Sequence, residues 1–435
     1  MNPIFKNRSI KGFVVNPVIK NILLLFSGTG ISQLIPFVAT LFLSRLYTKT
    51  DFGDLALVTS VAGIVGAVVA LRYELIIILQ NKASRAKTAM SLCLSLIGLM
   101  CSLTFVFLFL FKSELILRLD ISHYGLLYSI PLVAGGMGVY FVFENWFNRQ
   151  RDYRNMAYMK IVQSATNSIA KLVLGFAGVS YGLITGTVVG YAVTVLFCWV
   201  LYLKKDFFSL NYFSVKRMKE MAVSYRDFPK YAAPSGLLNS LSLMGLPVLI
   251  VYFYSTDVAG VYFFANTLIG TPVFFLINAF SQVFKKEAVL LVQKNKLKEL
   301  NGMVRKFQQW VFLIILAFTL VFSLFGAEIF SFVFGNQWYE SGRLIKFFAF
   351  SIVIRASYST ISSLIDILRK QKAELIFNVS SLLSQIVVFV VFSHYLTFEY
   401  ALLTIAITGS ILYLLLDRYI KNIIDLTRRS SLDKT

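Results

Sequence analysis

The chain has 435 residues, of which 57% are hydrophobic and only 14% charged, and its mean hydropathy is +0.72. A soluble protein of this length needs far more polar surface, so the composition excludes the soluble globular class and indicates a polytopic membrane protein. The formal net charge of +21 would favour nucleic-acid binding in a soluble domain. Here Lys and Arg stand in short loops between apolar runs, so no nucleic-acid partner is expected.

Apolar stretches of about 20 residues, the length needed to cross ~30 Å of hydrocarbon, recur along the whole chain. The first follows a basic N-terminal segment and is too long for the apolar region of a signal peptide, so it is interpreted as a retained span. We predict twelve spans, with bounds good to a few residues, at roughly 21–47, 53–79, 88–111, 124–146, 155–177, 180–203, 230–254, 258–283, 307–327, 342–367, 373–395 and 398–420.

The fifth predicted span is the most polar of the twelve. It carries Gln163, Ser164, Asn167, Ser168 and Lys171. A soluble amphipathic helix would show the same pattern, but between two apolar runs a span that faces a hydrated cavity is favoured.

Most of the 42 Lys and Arg fall on one side of this arrangement, together with both termini. The loops of the other side hold only Lys49, Lys112, Arg118 and Arg343. The positive-inside rule therefore places both termini in the cytoplasm and requires an even number of spans. The loops on the outer side are turns, too short to form an extracytoplasmic domain.

The chain divides into two lobes of six spans, 1–203 and 230–435, joined by a basic and aromatic linker at 204–229. The linker suits a helix in the membrane interface, with a solvated loop as the alternative. Near the start of each lobe, "YTKTDFGDLAL" resembles "FYSTDVAGVYF", a match that pairs Thr50-Asp51 with Thr256-Asp257 and Gly53 with Gly260. A second, weaker match pairs "ELILRLDISHYG" with "EIFSFVFGNQWYESG". Six spans per lobe give a parallel pseudo-two-fold repeat, as in alternating-access transporters whose binding site lies between the halves.

Several stretches resemble the Wzx-type O-antigen and polysaccharide flippases. They are "LSRLYTKTDFGDLALVTSVAGIV" and "LRYELIIIL" in the first lobe, the start of the second lobe from "FPKYAAPSGLLNSL", and "FGNQWYESG" before span ten. The resemblance covers nearly the whole chain, with the motifs in the right order. It implies an all-α, twelve-helix, two-lobe fold, like that of the multidrug (MATE-type) exporters and the lipid II flippase of the same superfamily.

The resemblance also implies a function. Such proteins move an undecaprenyl-diphosphate-linked oligosaccharide from the inner to the outer face of the bacterial cytoplasmic membrane, for assembly of surface polysaccharide such as the O-antigen of lipopolysaccharide. The implied partners are this lipid-linked substrate, membrane lipids, a polysaccharide polymerase and a chain-length regulator, with H⁺ or Na⁺ as the counter-ion.

A diphosphate needs cations, and charges inside spans cost about 2.5–3.5 kcal/mol each on insertion scales, so they usually face a cavity or a partner. Four cations are candidates for binding the diphosphate or lining the glycan cavity: Arg45, Arg72, Lys171 and Arg355. Arg355 lies near the midplane of span ten, where snorkelling is hardest, whereas snorkelling is an alternative for Arg45 at the outer end of span one. Arg suits a diphosphate because its planar fork binds two oxygens at once.

Arg72 and Glu74 interrupt the apolar end of span two. Two residues apart on a regular helix lie ~200° apart, so the pair is expected on different faces, with Arg72 facing a cavity near the inner leaflet. An ion pair between Arg72 and Glu144 is the alternative. Glu74, Glu144 and Asp366 are candidates for ion pairs or for a coupling site that takes a proton or binds Na⁺, and the sequence leaves these roles open.

Two other functions compete with that of a flippase. An ion-coupled drug or cation exporter of the same fold would need acids in the core of the first lobe, and span one has none. A membrane polysaccharide polymerase would need a sizeable extracytoplasmic loop with catalytic residues, and the predicted outer loops are turns. We expect no enzyme activity. No cofactor or metal is expected either, because the three cysteines lie in apolar runs and neither His123 nor His394 has metal-ligand company.

Overall fold

The computed structural model describes residues 17–119, 124–205, 214–294, 296–367 and 371–432, which form helices joined by short turns and no strand. The first half of the chain contains α1 (Pro17–Leu46), α2 (Lys49–Gly66), α3 (Ile76–Leu79), α4 (Ala83–Leu110), α5 (Lys112–Leu119), α6 (Gly125–Arg149), α7 (Tyr153–Phe176) and α8 (Gly182–Lys205). The second contains α9 (Val215–Ser224), α10 (Ala233–Phe253), α11 (Thr256–Gln293), α12 (Leu297–Phe334), α13 (Tyr339–Ser359), α14 (Ser363–Ile367), α15 (Gln371–Ser393) and α16 (Phe398–Leu432).

Eight helices in the described ranges are long and apolar enough to cross a membrane, namely α4, α6, α8, α10, α11, α12, α15 and α16. The other four predicted spans differ from that pattern. In span one the apolar segment is Gly30–Leu46, and the fifth span, α7, is polar. Spans two and ten were predicted as uninterrupted, and this is wrong because each is split, into α2 and α3 and into α13 and α14. The all-α, two-lobe fold with twelve predicted spans is confirmed.

Within the first lobe (α1–α8), the polar helix α7 packs between α1 and α8. Two glycines of α8 allow the backbones to approach closely. A Cβ at Gly190 would lie 2.8 Å from Asn167 Cα, and one at Gly186 would lie 2.8 Å from Lys171 N. Small residues are what lets helices meet this closely inside a membrane. The close contact retains α7 in the lobe although much of its surface is polar.

The second lobe (α10–α16) meets the first where α2 packs against α10 and α11. The helices α2 and α11 begin in the same way, capped by Thr48 and Ser255, and each then crosses the other at a glycine. A Cβ at Gly53 would lie 2.0 Å from Thr256 O, and one at Gly260 would lie 1.9 Å from Lys49 O. The predicted equivalence of Gly53 and Gly260 is therefore confirmed.

The cap residues also correct the register of the repeat. Thr50 and Asp257 each stand two residues after a cap, and the Thr50 hydroxyl donates to the Asp257 carboxylate at 2.6 Å. The equivalence of Asp51 with Asp257 is wrong, because the two Thr-Asp pairs stand one position apart relative to their caps: Asp51 is three residues after Thr48, and Asp257 is two residues after Ser255. Asp51 instead closes the capping box of Thr48.

The two ends of the bundle differ in how the lobes join. We call the end with residues 47–49 and 254–256 the short-loop end, and the end with residues 80–82, 294 and 296 the basic end. The largest buried apolar cluster includes residues of both lobes at the short-loop end, among them Phe52, Phe264 and Trp338. Toward the basic end the described residues form separate clusters in the first and second lobes. Buried apolar packing thus joins the lobes at the short-loop end, whereas toward the basic end each buried cluster of the described residues belongs to one lobe and its adjoining linker.

The linker between the lobes contains the helix α9, which docks on the basic end of the first lobe. Met221 is buried there, and the Tyr73 hydroxyl donates to the Ala222 carbonyl at 3.0 Å. The Gln80 amide donates to the Tyr225 hydroxyl at 2.9 Å. The helical reading of the linker is confirmed for α9, while residues 206–213 of the predicted linker 204–229 lie outside the described residues.

Candidate functional site

A cavity of about 220 Å³ lies inside the second lobe, and Arg355 on α13 lines it. Its other walls come from α10, α11, α15 and α16, which contribute the amides of Asn239, Asn266, Asn378 and Gln385 and hydroxyls such as Ser381 and Thr408. Arg355 is exposed to this space and forms no ion pair within the described part of the chain. A cavity is one of the two surroundings expected for a charge inside a span, and the structure places Arg355 in it.

A second cavity, of about 280 Å³, is lined by α7 and α1 of the first lobe and by α11 of the second. Lys171 reaches it together with Gln163, Ser164, Asn167 and Ser168, so the prediction that the polar face of the fifth span faces a cavity is confirmed. The Ser164 hydroxyl also donates to the Ser32 carbonyl of α1. Among the described residues that line these two cavities there is no carboxylate.

Arg72 lies outside both cavities, at a break in span two. The helix α2 ends at Gly66, and Leu71 and Arg72 have left-handed backbone angles, φ 50° and 63°. Such angles cost roughly 1–3 kcal/mol for residues other than glycine and concentrate at functional sites. Non-helical backbone at membrane depth is tolerated only inside protein or beside a hydrated space. The break therefore distinguishes span two from the continuous helices α4, α6 and α8 of the first lobe.

The break changes the partners expected for Arg72. Arg72 Nη1 lies 3.6 Å from Glu74 Oε1, so the expectation that the two residues face different ways is wrong. That expectation assumed a regular helix, whereas the left-handed backbone at Leu71 and Arg72 brings the side chains of Arg72 and Glu74 together. Glu74 is buried, whereas Arg72 is one-third exposed and packs at the lobe interface, where a Cβ at Gly236 would lie 3.4 Å from its Nε.

The other candidate residues lie apart from these groups. Glu144 pairs with Lys160, Nζ to Oε1 3.3 Å, so the alternative pairing of Glu144 with Arg72 is wrong. Arg45 is exposed at the short-loop end and donates to the Val333 carbonyl of the second lobe at 3.2 Å. The side chain of Asp366 lies outside the described part of the structure. The four candidate cations thus occupy four different places rather than one site.

The seal at the short-loop end is made of polar contacts around an aromatic centre. The Trp338 indole donates to the Ser44 carbonyl at 2.8 Å, and the Gln337 amide donates to the same carbonyl at 2.6 Å. Lys49 of the first lobe pairs with Glu340 of the second at 2.7 Å. These contacts join α1 and α2 to the segment that follows α12, and they close this end of the space between the lobes.

Comparison with known sequences assigns this architecture to a family. The sequence profile of the family described as "Polysaccharide biosynthesis protein" matches residues 42–343. The chain belongs to this family. A search of curated proteins finds no match.

Solved structures similar to this polysaccharide biosynthesis protein are transporters. An inward-facing multidrug-resistance MATE family transporter of the MOP superfamily has a TM-score of 0.68 at 16% identity, covering 95% of this chain and 99% of its own. The lipid II flippase MurJ in an inward closed conformation has a TM-score of 0.70 at 12% identity, covering 94% and 90%. A MOP superfamily transporter from Pyrococcus furiosus, with a binding pocket described as reversed in polarity, has a TM-score of 0.52 at 15% identity, covering 94% and 95%. At these identities the likeness shows the fold.

The polar walls of the second-lobe cavity of this polysaccharide biosynthesis protein were missed by reasoning from charge alone. On α15, Asn378, Ser381 and Gln385 follow one another at i, i+3 and i+7, which places them on one face of an otherwise apolar helix. That spacing was visible in the sequence and would have found the cavity. Asp54, a buried acid of α2, was also missed because it stands so close to the predicted outer turn.

Proposed function

We propose that this protein moves an undecaprenyl-diphosphate-linked oligosaccharide across the bacterial cytoplasmic membrane by alternating access between its two lobes. Three observations support the proposal. The family is one of polysaccharide biosynthesis proteins, the fold is shared with transporters that include a lipid II flippase, and the cavities are lined by cations and neutral polar groups. A glycan destined for the cell surface must cross the membrane while attached to its lipid carrier, and this architecture suits that task.

The main observation behind the proposal is that Arg355 lines a cavity together with amide and hydroxyl side chains. A guanidinium without an acidic partner is free to bind phosphate oxygens in a paired geometry. Amide and hydroxyl groups are suited to exchange hydrogen bonds with sugar hydroxyls. A drug or cation exporter would need acids in its cavities, and the lining residues that the structure describes include none. An anionic, sugar-bearing substrate therefore fits better than a cationic one.

In the proposed orientation the basic end lies in the cytoplasm, as the distribution of Lys and Arg predicts. The described state is then inward-facing, because the lobes are sealed at the opposite end. The substrate enters from the cytoplasmic leaflet, and the seal at the short-loop end opens for release.

The remaining candidate residues have separate proposed roles. Arg72, at the lobe interface toward the basic end, meets the diphosphate before Arg355 does, and Lys171 adds a cation in the first lobe. Glu74 is the favoured coupling group, because diphosphate bound to Arg72 would leave the carboxylate free to take H⁺ or Na⁺. Glu144 and Asp366 are the other coupling candidates. Arg45 belongs to the seal, since it bonds to a carbonyl across the lobe interface.

Deletion of the protein tests the proposal against the polymerase alternative. We expect loss of surface polysaccharide together with accumulation of lipid-linked repeat units on the cytoplasmic face, assayed by accessibility to a membrane-impermeant glycosidase or lectin. Polymerase and chain-length regulator, the proposed partners, should be unaffected in amount. Repeat units that reach the outer face and remain unpolymerised would contradict the flippase proposal and favour a polymerase.

The orientation has its own test. In a variant lacking the three native cysteines, single cysteines are placed at Ser84, exposed at the basic end, and at Tyr395, 82% exposed at the other end. An impermeant thiol reagent applied to intact cells should label the cysteine at 395 and not the one at 84. The reverse pattern would invert the assignment of the ends.

A further inference from the structure

A further cavity in the described part of the second lobe, of about 480 Å³, is a groove between α12, α13 and α16. Its walls are mostly apolar and include Phe312, Leu313, Ile354 and Leu414. Leu313 and Leu414 are 58% and 54% exposed, so the groove opens to the surface of the bundle that faces lipid. It is separate from the cavity of Arg355, whose walls are polar.

The groove and the Arg355 cavity share a wall of aromatic rings. Tyr413 lines both spaces, Tyr358 lines the groove, and Phe377 lines the cavity. The ring centre of Tyr413 lies 5.3 Å from that of Tyr358 and 5.0 Å from that of Phe377. We call these three residues the aromatic partition. Tyr358 stands one residue before the end of α13, where span ten is interrupted, so the partition lies at a break in the helix that carries Arg355.

The charges at the basic end of the groove disfavour a phosphate there. Asp417 lines the groove at that end and accepts from the Gln308 amide at 2.5 Å and from Lys421 Nζ at 2.6 Å. The charge of Lys421 is therefore already neutralised by an acid. A phospholipid in the groove would place its phosphate beside this carboxylate, whereas Arg355, across the partition, has no acidic partner.

We propose that the groove binds the part of the polyprenyl chain nearest to the diphosphate, while the diphosphate lies at Arg355 and the aromatic partition forms the passage between them. The inference rests on the proposed function. A cavity of about 150 Å³ holds a benzene ring, so the groove has room for roughly three isoprene units. The rest of the chain stays in the bilayer, where it needs no protein.

Photocrosslinking tests the occupant. The full-length protein is placed in nanodiscs of phosphatidylethanolamine and phosphatidylglycerol with an undecaprenyl diphosphate that carries a diazirine in its first three isoprene units. We expect crosslinks at 312–313 and 354–358 that excess undecaprenyl diphosphate displaces and excess phosphatidylglycerol does not. Crosslinks spread evenly over lipid-facing helices, or displaced equally by phosphatidylglycerol, would overturn the inference and assign the groove to ordinary membrane lipid.

Two matched variants, each with a large side chain added, compare the effect of filling the groove with the effect of the same change elsewhere on the surface. Ser357 lines the groove, and its hydroxyl bonds only within its own helix, to Val353 O at 2.9 Å. Ser102 on α4 is exposed and bonds in the same way to Gly98 O at 2.8 Å. Ser357→Phe should fill the groove and lower the crosslinking about tenfold, whereas Ser102→Phe should leave it unchanged. Equal crosslinking in the two variants would contradict the proposal.

Flipping of a lipid-linked oligosaccharide, measured in the same preparations, distinguishes this inference from the proposed function. Ser357→Phe should slow flipping by about the same factor as it lowers crosslinking. Normal flipping by a wild-type protein that gives no crosslinks in the groove overturns the groove inference alone. Crosslinks in the groove without flipping overturn the proposed function and leave the polyprenyl site standing.

Discussion

The helices α2 and α11 begin alike and end differently. Each has a Thr or Ser cap, and each crosses its partner at the fifth residue after the cap, a glycine. The helix α11 continues past the crossing and Pro272 to Gln293, 38 residues in all, whereas α2 stops at Gly66 and the chain then turns through a left-handed Arg72. The repeat is therefore symmetric where the lobes are sealed and asymmetric where they separate. The seal depends on a duplicated structural element, and the proposed entry region departs from it.

The largest expected effect comes from the symmetric crossing itself. Gly53→Ala and Gly260→Ala each place a methyl group about 2 Å from the backbone of the other helix, so the short-loop end cannot close without a shift. We expect substrate flipping to be lost and the melting temperature to fall, since overpacking costs about 1–3 kcal/mol. Gly245→Ala in α10 is the control, because nothing lies within 4 Å of its Cβ position.

We test this prediction on the purified variants by measuring thermal unfolding and the rate of flipping in proteoliposomes. Normal flipping by Gly53→Ala would show that the described crossing is not an obligatory state of the transport cycle. The same loss in Gly245→Ala would show that glycine matters for reasons other than the crossing.

The asymmetric end is tested by a double-mutant cycle on Arg72 and Glu74. Arg72→Gln leaves a buried carboxylate without its cation and should cost about 1.5–3 kcal/mol. Adding Glu74→Gln should restore most of that stability, because both charges are then gone. Denaturation midpoints of the four proteins in detergent give the coupling energy. A coupling energy of zero would mean that the 3.6 Å contact makes no contribution to the stability of the break.

The smallest expected effect belongs to the ion pair on the edge of the seal. Lys49 and Glu340 lie 2.7 Å apart but are 27% and 56% exposed. Exposed pairs contribute about 0.2–1 kcal/mol and weaken in salt. Lys49→Gln should therefore shift the sealed population by about fivefold or less, and the shift should shrink at high ionic strength. Spin-label distances across the short-loop end measure it, and a salt-independent change larger than tenfold would contradict the assignment.

The sequence predicted the parts of this molecule that depend on local pattern. Hydrophobic runs located the spans, the polar face of α7 located the cavity of Lys171, and the depth of Arg355 in span ten indicated that it faces a cavity. The break at Arg72 was not predictable in this way, because no proline or glycine occupies the turn between Ala67 and Arg72. Packing between elements distant in the sequence selects that backbone, and local propensity gives no signal of it.

The state of the transporter could not be predicted either. Capping residues and glycines showed that α2 and α11 resemble each other, but under the proposed alternating-access mechanism the contact between them belongs to one of two conformations of the lobes. Trp338 illustrates the difficulty. Its position before span ten is plain in the sequence, whereas its hydrogen bond to Ser44 O exists only when the short-loop end is sealed.

The most direct measurement of the central claim is the rate at which proteoliposomes flip a lipid-linked oligosaccharide when Arg355 is changed. Arg355→Gln keeps hydrogen bonding but removes the charge, and should slow flipping about ten- to a hundredfold at normal protein levels. Arg355→Lys keeps the charge without the paired donors and should retain part of the rate. Lys346→Gln, on the same helix but exposed over Phe347, should flip at the wild-type rate. Wild-type flipping by Arg355→Gln would contradict the diphosphate site.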